Sequence, residues 1–179
     1  MNINELIKTA HENAKANGWW DEERNTGELL MLIVSECGEA LEAHRSGKRA
    51  DMATYENIVV RKRIGEVECS ETEEFRDHIK DTFEDELADI VIRLADYLGY
   101  VGYTPLQGDV RSVNRAPINV GEALFTVTKT VSIEMDVCLE WAIHGVFAIA
   151  GDHNIDLWRH VELKMEYNKT RGIRHGKAY

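Results

Sequence analysis

The chain is predicted to be an all-α protein, a bundle of about five helices that forms a single domain over residues 1–179. Apolar residues recur every three or four positions through several long segments, which is the period of a helix with one buried face. Only two prolines occur in 179 residues, so little in the composition interrupts long helices. Capping-box patterns that begin at Asn25 and Ser70 mark two helix starts.

The first two helices are expected over residues 3–17 and 25–46. Apolar residues at helical spacing support the first helix, namely Ile3, Leu6, Ile7, Ala10 and Ala14, and Gly18 suits its end. The second follows the cap at Asn25 and has an apolar face of Leu29, Leu30, Ile33, Cys37, Ala40 and Leu41. Residues 47–69 are charged and poorly periodic, and we interpret them as a loop or insertion with at most one short element.

Three further helices are expected over residues 70–99, 121–150 and 154–170. The third begins at Ser70 and directs inward Phe83, Leu87, Ile90, Val91, Leu94 and Leu98. Glycines and prolines predict a loop over 101–120. The start of 121–150 is rich in β-branched residues and resembles a strand, but the length of the segment favours a helix. Gly151 and Asp152 separate it from the last helix.

Charge and cysteine usage restrict the class of protein. A net charge of −11 argues against a surface for nucleic acid or for an anionic membrane, both of which select basic patches. The three cysteines match no metal or redox spacing, which fits a reducing compartment. The N-terminal segment lacks the plan of a signal peptide, and no apolar run reaches membrane-spanning length. We therefore expect a cytoplasmic protein that contacts neither nucleic acid nor membrane.

Two pairs of carboxylates point to a metal site. Glu36 and Glu39 lie three residues apart in the second helix, and Glu86 and Asp89 have the same spacing in the third. Residues at i and i+3 share one side of a helix, so each pair directs two carboxylates the same way. One such pair is usually a solvated helix face, but two pairs beside apolar stripes would repel each other strongly without a cation. Oxygen ligands of this kind suit Mg²⁺ or Mn²⁺.

Basic and aromatic residues near these helices are candidates for substrate binding. From Lys164 to Tyr179 there are five Lys/Arg and one acid, an arrangement that either complements a helix C-terminus or holds phosphates. Trp19 and Trp20 are either core residues or a stacking surface for a base, to which His11 would add a polar contact. Glu140 and His144, at i and i+4, are more simply explained as a local contact. No Glu-x-x-His pair and no phosphate-binding Gly-Lys loop occurs, so di-iron and P-loop chemistry are set aside.

These motifs resemble the all-α nucleoside triphosphate pyrophosphohydrolases of the MazG-like superfamily. The resemblance rests on residues 35–48, 83–99 and 164–179. Within the second stretch Glu86, Asp89, Arg93 and Asp96 stand together as in that family, and the third carries Asn168 to Arg171 and His175 to Lys177. The chain departs from the family in the long gap between Glu39 and Glu86. That gap contains an insertion at 47–78, which would form part of a substrate lid or an oligomer contact.

The resemblance implies a Mg²⁺-dependent enzyme that hydrolyses a nucleoside triphosphate, typically a deoxynucleotide, to the monophosphate and pyrophosphate. Glu36, Glu39, Glu86 and Asp89 would hold Mg²⁺ or Mn²⁺, and Glu36 is preferred for activating water. Contacts to the pyrophosphate would come from Lys169, Arg171, Arg93 and Lys177, with Trp19 or Trp20 and His11 at the base. Family members form homodimers or homotetramers. The alternatives are phosphoribosyl-ATP pyrophosphohydrolysis, a non-catalytic nucleotide- or metal-binding regulator, and a plain helical interaction module.

Overall fold

The computed structural model describes residues 1–106, 109–110, 118–133 and 135–173. These residues contain no strand, which confirms the all-α prediction, but they form eight helices where about five were expected. The helices are α1 (Ile3–Ala16), α2 (Thr26–Arg45), α3 (Met52–Arg63), α4 (Glu71–His78), α5 (Phe83–Tyr100), α6 (Val120–Val131), α7 (Asp136–Asp152) and α8 (Leu157–Lys169). Within the described part of the chain, no helix combines the length and apolar character needed to cross a membrane.

Two predicted helices are each divided in two. The segment 70–99 breaks after α4, where Asp81 has φ 61°, a conformation that does not continue a right-handed helix. The Thr82 hydroxyl donates to the Ile79 carbonyl (2.6 Å), and its oxygen caps the first turn of α5. The segment 121–150 breaks after α6, where the Ser132 hydroxyl donates to the Lys129 carbonyl (2.7 Å). Ser70 makes no side-chain capping bond, whereas an unpredicted capping box joins Asn2 and Glu5 at the start of α1.

The insertion at 47–78 contains α3 and α4, and α3 is the one helix within the segment 47–69. Asp51 begins α3 by accepting a hydrogen bond from the Thr54 amide (3.0 Å). Together with α8 these two helices bury a second apolar cluster of Tyr55, Val59, Phe75, Ile79, Leu163 and Tyr167. Only Tyr55 and Val59 of α3 are buried, so the helix has too narrow an apolar stripe to give a clear periodic signal.

Helix α5 lies at the centre of the main core. It packs against α1, α2, α7 and α8, and its residues with no exposed area include Leu87, Ala88, Ile90, Val91, Leu94, Ala95 and Leu98. Helix α1 crosses α5 at Gly99, where a Cβ atom would lie 2.5 Å from the His11 Cβ. A side chain at position 99 would therefore push α1 away from α5. This packing leaves one flank of α5, which carries Glu86, Asp89 and Arg93, facing a cavity.

Candidate functional site

A cavity of about 310 Å³ lies between α1, α2, α5 and α8. This volume is at the lower end of the range for small-molecule sites. Its wall has an apolar part formed by Ala10, Ala14, Trp19, Leu29, Leu32 and Ile92. Its charged part contains Arg24, Glu36, Glu39, Lys80, Asp81, Glu86, Asp89, Arg93, Asp96, Lys164 and Arg171. The cavity therefore suits a ligand with both a flat apolar portion and charged groups.

Three of the four predicted metal ligands meet in this cavity. Glu36 from α2 and Glu86 and Asp89 from α5 each offer a carboxylate oxygen, and these oxygens lie within 4.8 Å of one another. Glu36 and Glu86 are buried, each with 5% of its surface exposed. Glu39 is exposed and accepts a hydrogen bond from the Ser35 hydroxyl (3.2 Å). It lines the cavity, but its carboxylate is not among the oxygens of this cluster.

Two basic side chains neutralise part of the acidic charge. The Arg93 Nε donates to Glu36 (2.5 Å), and the Lys164 ammonium donates to both Asp85 and Asp89 (2.7 Å each). Burial alone would lower the pKa of Lys164, but the Asp89 and Asp85 carboxylates raise it overall, so Lys164 is charged. Glu36 and Asp89 therefore each have a cationic partner.

Glu86 has no such partner. Among the described residues, its carboxylate makes neither a hydrogen bond nor an ion pair. Burial raises its pKa to about 8, with further contributions from Asp89 and Asp85. Burial and the nearby Asp89 also raise the pKa of Glu36. A divalent cation among these oxygens would offset the repulsion, and an all-oxygen ligand set fits Mg²⁺ or Mn²⁺.

A second acidic group shares Glu86 with the first. Asp81, Asp85 and Glu86 also place carboxylate oxygens within 4.8 Å of one another. Two of these three acids already pair with lysines, Asp81 with Lys80 and Asp85 with Lys164. Two acids of the first group are paired in the same way, so ion pairing does not separate the two groups. All three acids of the first group line the cavity, whereas Asp85 of the second group does not. The first group is therefore the better candidate for a metal.

The predicted phosphate-binding residues are only partly brought together. Arg93 and Arg171 line the cavity, and Arg171 lies over the Tyr167 ring (5.8 Å). Lys169 does not line it, because its ammonium points to the exposed Glu166 (2.5 Å) on the outer side of α8. Lys177 lies outside the described residues.

The two tryptophans have different environments. Trp19 lines the cavity, whereas Trp20 stacks on Tyr100, with ring centroids 4.3 Å apart. The Trp20 Nε1 (2.9 Å) and the His11 Nδ1 (2.8 Å) both contact the same Asp96 oxygen. Neither His11 nor Trp20 lines the cavity, so the predicted base contacts of these two residues have no counterpart in its wall. Their bonds to Asp96 hold the turn after α1 against α5.

Lys164 and Arg24 are among the cavity residues that were not predicted as site residues. Lys164 was seen only as the first member of a basic run. Helical spacing gives a signal that Lys164 is buried. The buried face of α8 carries Leu157, Val161, Lys164 and Asn168, which follow one another at intervals of three or four residues. Arg24 lies in a charged turn before α2, and no pattern in the sequence distinguishes it from its neighbours.

Comparisons of the chain with protein-family models, with curated proteins and with solved structures gave no match. Any function proposed for the chain therefore rests on the geometry of its cavity and on the motifs described above.

Proposed function

We propose that this protein is a Mg²⁺-dependent hydrolase that converts a (deoxy)nucleoside triphosphate to the monophosphate and pyrophosphate. The observation that carries the proposal is the buried Glu86 carboxylate, which lies between Glu36 and Asp89 without a cationic partner among the described residues. The cavity combines an acidic cluster, an apolar wall and Arg171, which makes no ion pair with the described residues, and this combination suits a metal–triphosphate ligand. The resemblance of the motifs supports the same activity.

Glu36, Glu86 and Asp89 would hold the cation, with Glu39 at the edge of the cluster. Mg²⁺ bound there supplies positive charge that neutralises the phosphate oxygens and polarises the phosphorus. Lys164 and Arg93 act as positioning residues, since their ion pairs fix the Asp89 and Glu36 carboxylates. Mn²⁺, which accepts the same ligands, is expected to substitute.

The reaction transfers the nucleotidyl group, through its α-phosphorus, from pyrophosphate to water. A water oxygen forms a bond to the α-phosphorus, and the bond from that phosphorus to the bridging oxygen breaks with its electron pair leaving on pyrophosphate. A carboxylate of the cluster accepts the proton of the water, and Glu36 is the preferred candidate for this role. Arg171 stabilises the leaving pyrophosphate by its charge.

We also propose that the protein forms a homodimer or homotetramer. Four large apolar side chains on α6, on α7 and between them are exposed, namely Phe125, Ile133, Met135 and Trp141. Contact between copies would cover such residues. None of the described residues that line the cavity belongs to α6 or α7, so contact through these helices would leave the cavity of each copy accessible.

The activity is tested by measuring pyrophosphate and monophosphate from a panel of ribo- and deoxynucleoside triphosphates, modified bases included, with Mg²⁺. We expect turnover of at least one nucleotide. Glu86→Gln should lower kcat/KM by about 100-fold or more, because it removes one charged ligand. Its helical circular dichroism should be unchanged. The matched control Glu73→Gln, an exposed residue of α4, should keep full activity.

Other outcomes separate the alternatives. Turnover of phosphoribosyl-ATP but of no free triphosphate would assign the related pyrophosphohydrolase activity. Saturable Mg²⁺-dependent binding of nucleotide by calorimetry, without product, would instead indicate a regulator. The proposal fails if no nucleotide in the panel is hydrolysed faster than by the Glu86→Gln variant.

A further inference from the structure

Arg24 is a cation of the cavity that forms no ion pair with the described residues. Its guanidinium carbon lies 5.6 Å above the Trp19 ring, and its Nη1 donates to the Trp19 carbonyl at 3.4 Å. That distance is beyond the usual range for such a bond, so this contact is weak. By comparison, Arg93 and Lys164 make short ion pairs in the same cavity.

The two remaining N–H positions of Arg24 have no acceptor. Its Nε and Nη2 atoms are buried, and neither has a hydrogen-bond partner among the described residues. Buried donors without acceptors lower stability, and those of a charged group do so most. Nε and Nη2 form one edge of the planar guanidinium and together can donate to two neighbouring acceptors. Binding of a ligand with such an acceptor pair would therefore be favourable. The ligand would satisfy the two buried donors, and only the weak bond to Trp19 would be lost.

The position of Arg24 in the cavity indicates which part of a nucleotide it meets. Helix α2 starts at Thr26, and at 1.5 Å per residue its first turn lies about 15 Å along the helix from Glu36. Between these positions α2 contributes the apolar Leu29 and Leu32 to the cavity wall, and Ile92 of α5 also lines it. Phosphates belong at the end with the carboxylates, which would hold the metal. The apolar section suits a flat base, which leaves Arg24 at the edge of the base.

We infer that Arg24 determines base specificity by donating from Nε and Nη2 to two adjacent acceptors on one base edge. The inference rests on the proposed function. Guanine offers such an edge at O6 and N7, and cytosine offers one at O2 and N3. Adenine has no two adjacent acceptors, because N1 and N7 each lie beside the N6 amino group and N3 stands alone. Thymine has none either, because its N3–H group lies between the two carbonyls. The protein therefore selects dGTP or dCTP over dATP and dTTP.

The test is kcat/KM for the four deoxynucleotides with the wild-type protein, with Arg24→Lys and with the control Arg45→Lys, an exposed arginine of α2. The wild type should prefer dGTP or dCTP over dATP by about tenfold or more, the discrimination that one bidentate pair provides. Arg24→Lys keeps the charge but loses the paired donors. It should lower the rate on the preferred nucleotide about tenfold and leave dATP within about twofold. Arg45→Lys should match the wild type.

The dATP rate and a second variant, Arg24→Gln, distinguish lost base recognition from misfolding, which would lower all four rates together. If dGTP is preferred, 7-deaza-dGTP, which lacks the N7 acceptor, should behave like dATP; if dCTP is preferred, dGTP should be the weaker substrate. Equal rates on all four nucleotides, a preference for dATP or dTTP, or an equal loss on all four in both Arg24 variants would overturn this inference while the proposed function stands. No hydrolysis of any nucleotide would overturn both.

Discussion

At the scale of single residues, Glu86 differs from the other two acids of the cluster. Glu36 and Asp89 are each held by a basic side chain, whereas Glu86 has no partner among the described residues. Its pKa is about 8 in the folded protein against an ordinary value of 4.5. Between these two pH values the folded state binds a proton at Glu86 that the unfolded state has lost.

The contribution of Glu86 to the free energy of unfolding therefore falls as the pH rises from about 4.5 to about 8. Without divalent cations, Glu86→Gln should stabilise the protein at pH 8 by about 1–3 kcal/mol and have a smaller effect at pH 5. Mg²⁺ should stabilise the wild type but not the variant, because bound metal replaces the proton. Denaturant unfolding at both pH values, with and without Mg²⁺, measures these effects.

The exposed Glu73→Gln serves again as the control and should change neither the pH dependence nor the response to Mg²⁺. A Glu86→Gln variant less stable than the wild type at pH 8 would show that Glu86 is stabilised by a contact absent from this account.

The spacing of the acids in the sequence predicted the three that cluster, but it did not show that Glu39 would lie outside the cluster. Glu36 and Glu39 have the same spacing as Glu86 and Asp89, and both pairs flank apolar stripes. Whether a flanking carboxylate is buried depends on where α5 crosses α2, which is a property of tertiary packing. Helical periodicity determines which side of a helix a residue lies on, but it does not determine which other helix packs against that side.

At the scale of elements, α8 shows how one helix divides its basic residues between a core and a surface. Lys164 is buried against Asp85 and Asp89, whereas Lys169 pairs with Glu166 in solvent. Both lysines belong to the same basic run, so charge composition alone assigns them one role. Their positions around the helix separate them.

Replacement of each lysine by methionine tests this division. Lys164→Met leaves two carboxylates without their cation and should lower the free energy of unfolding by about 3–5 kcal/mol. Lys169→Met removes an exposed pair and should change it by less than about 1 kcal/mol. Chemical denaturation of both variants in metal-free buffer measures the difference. Similar small changes for both would contradict the buried ion pair.

The hydrophobic pattern gives no signal for the break between α4 and α5. Ile79 and Phe83 are buried at a spacing of four, so the apolar period continues across the turn between α4 and α5. The signal for the break is Asp81, since aspartate adopts the left-handed conformation more readily than most residues. One polar residue in an acidic segment is too common to predict a turn.

At the scale of the whole molecule, α5 joins the core to the candidate site. One side of this helix is fully buried against four other helices, and its flank carries Glu86, Asp89, Arg93 and Asp96. The all-α class and the helices that carry the acids followed from periodicity. The order in which these helices pack, and the role of α3 and α4 as a second small core with α8, depend on contacts distant in sequence.

The proposed reaction requires a divalent cation held between α2 and α5. Its most direct test is a crystal of the protein soaked in Mn²⁺, with anomalous scattering recorded for the wild type and for Glu86→Gln. We expect one strong Mn²⁺ peak at coordination distance from oxygens of Glu36, Glu86 and Asp89, and its loss or marked weakening in the variant. An ordered Mn²⁺ away from these three residues, or none in a crystal soaked at millimolar concentration, would contradict the account.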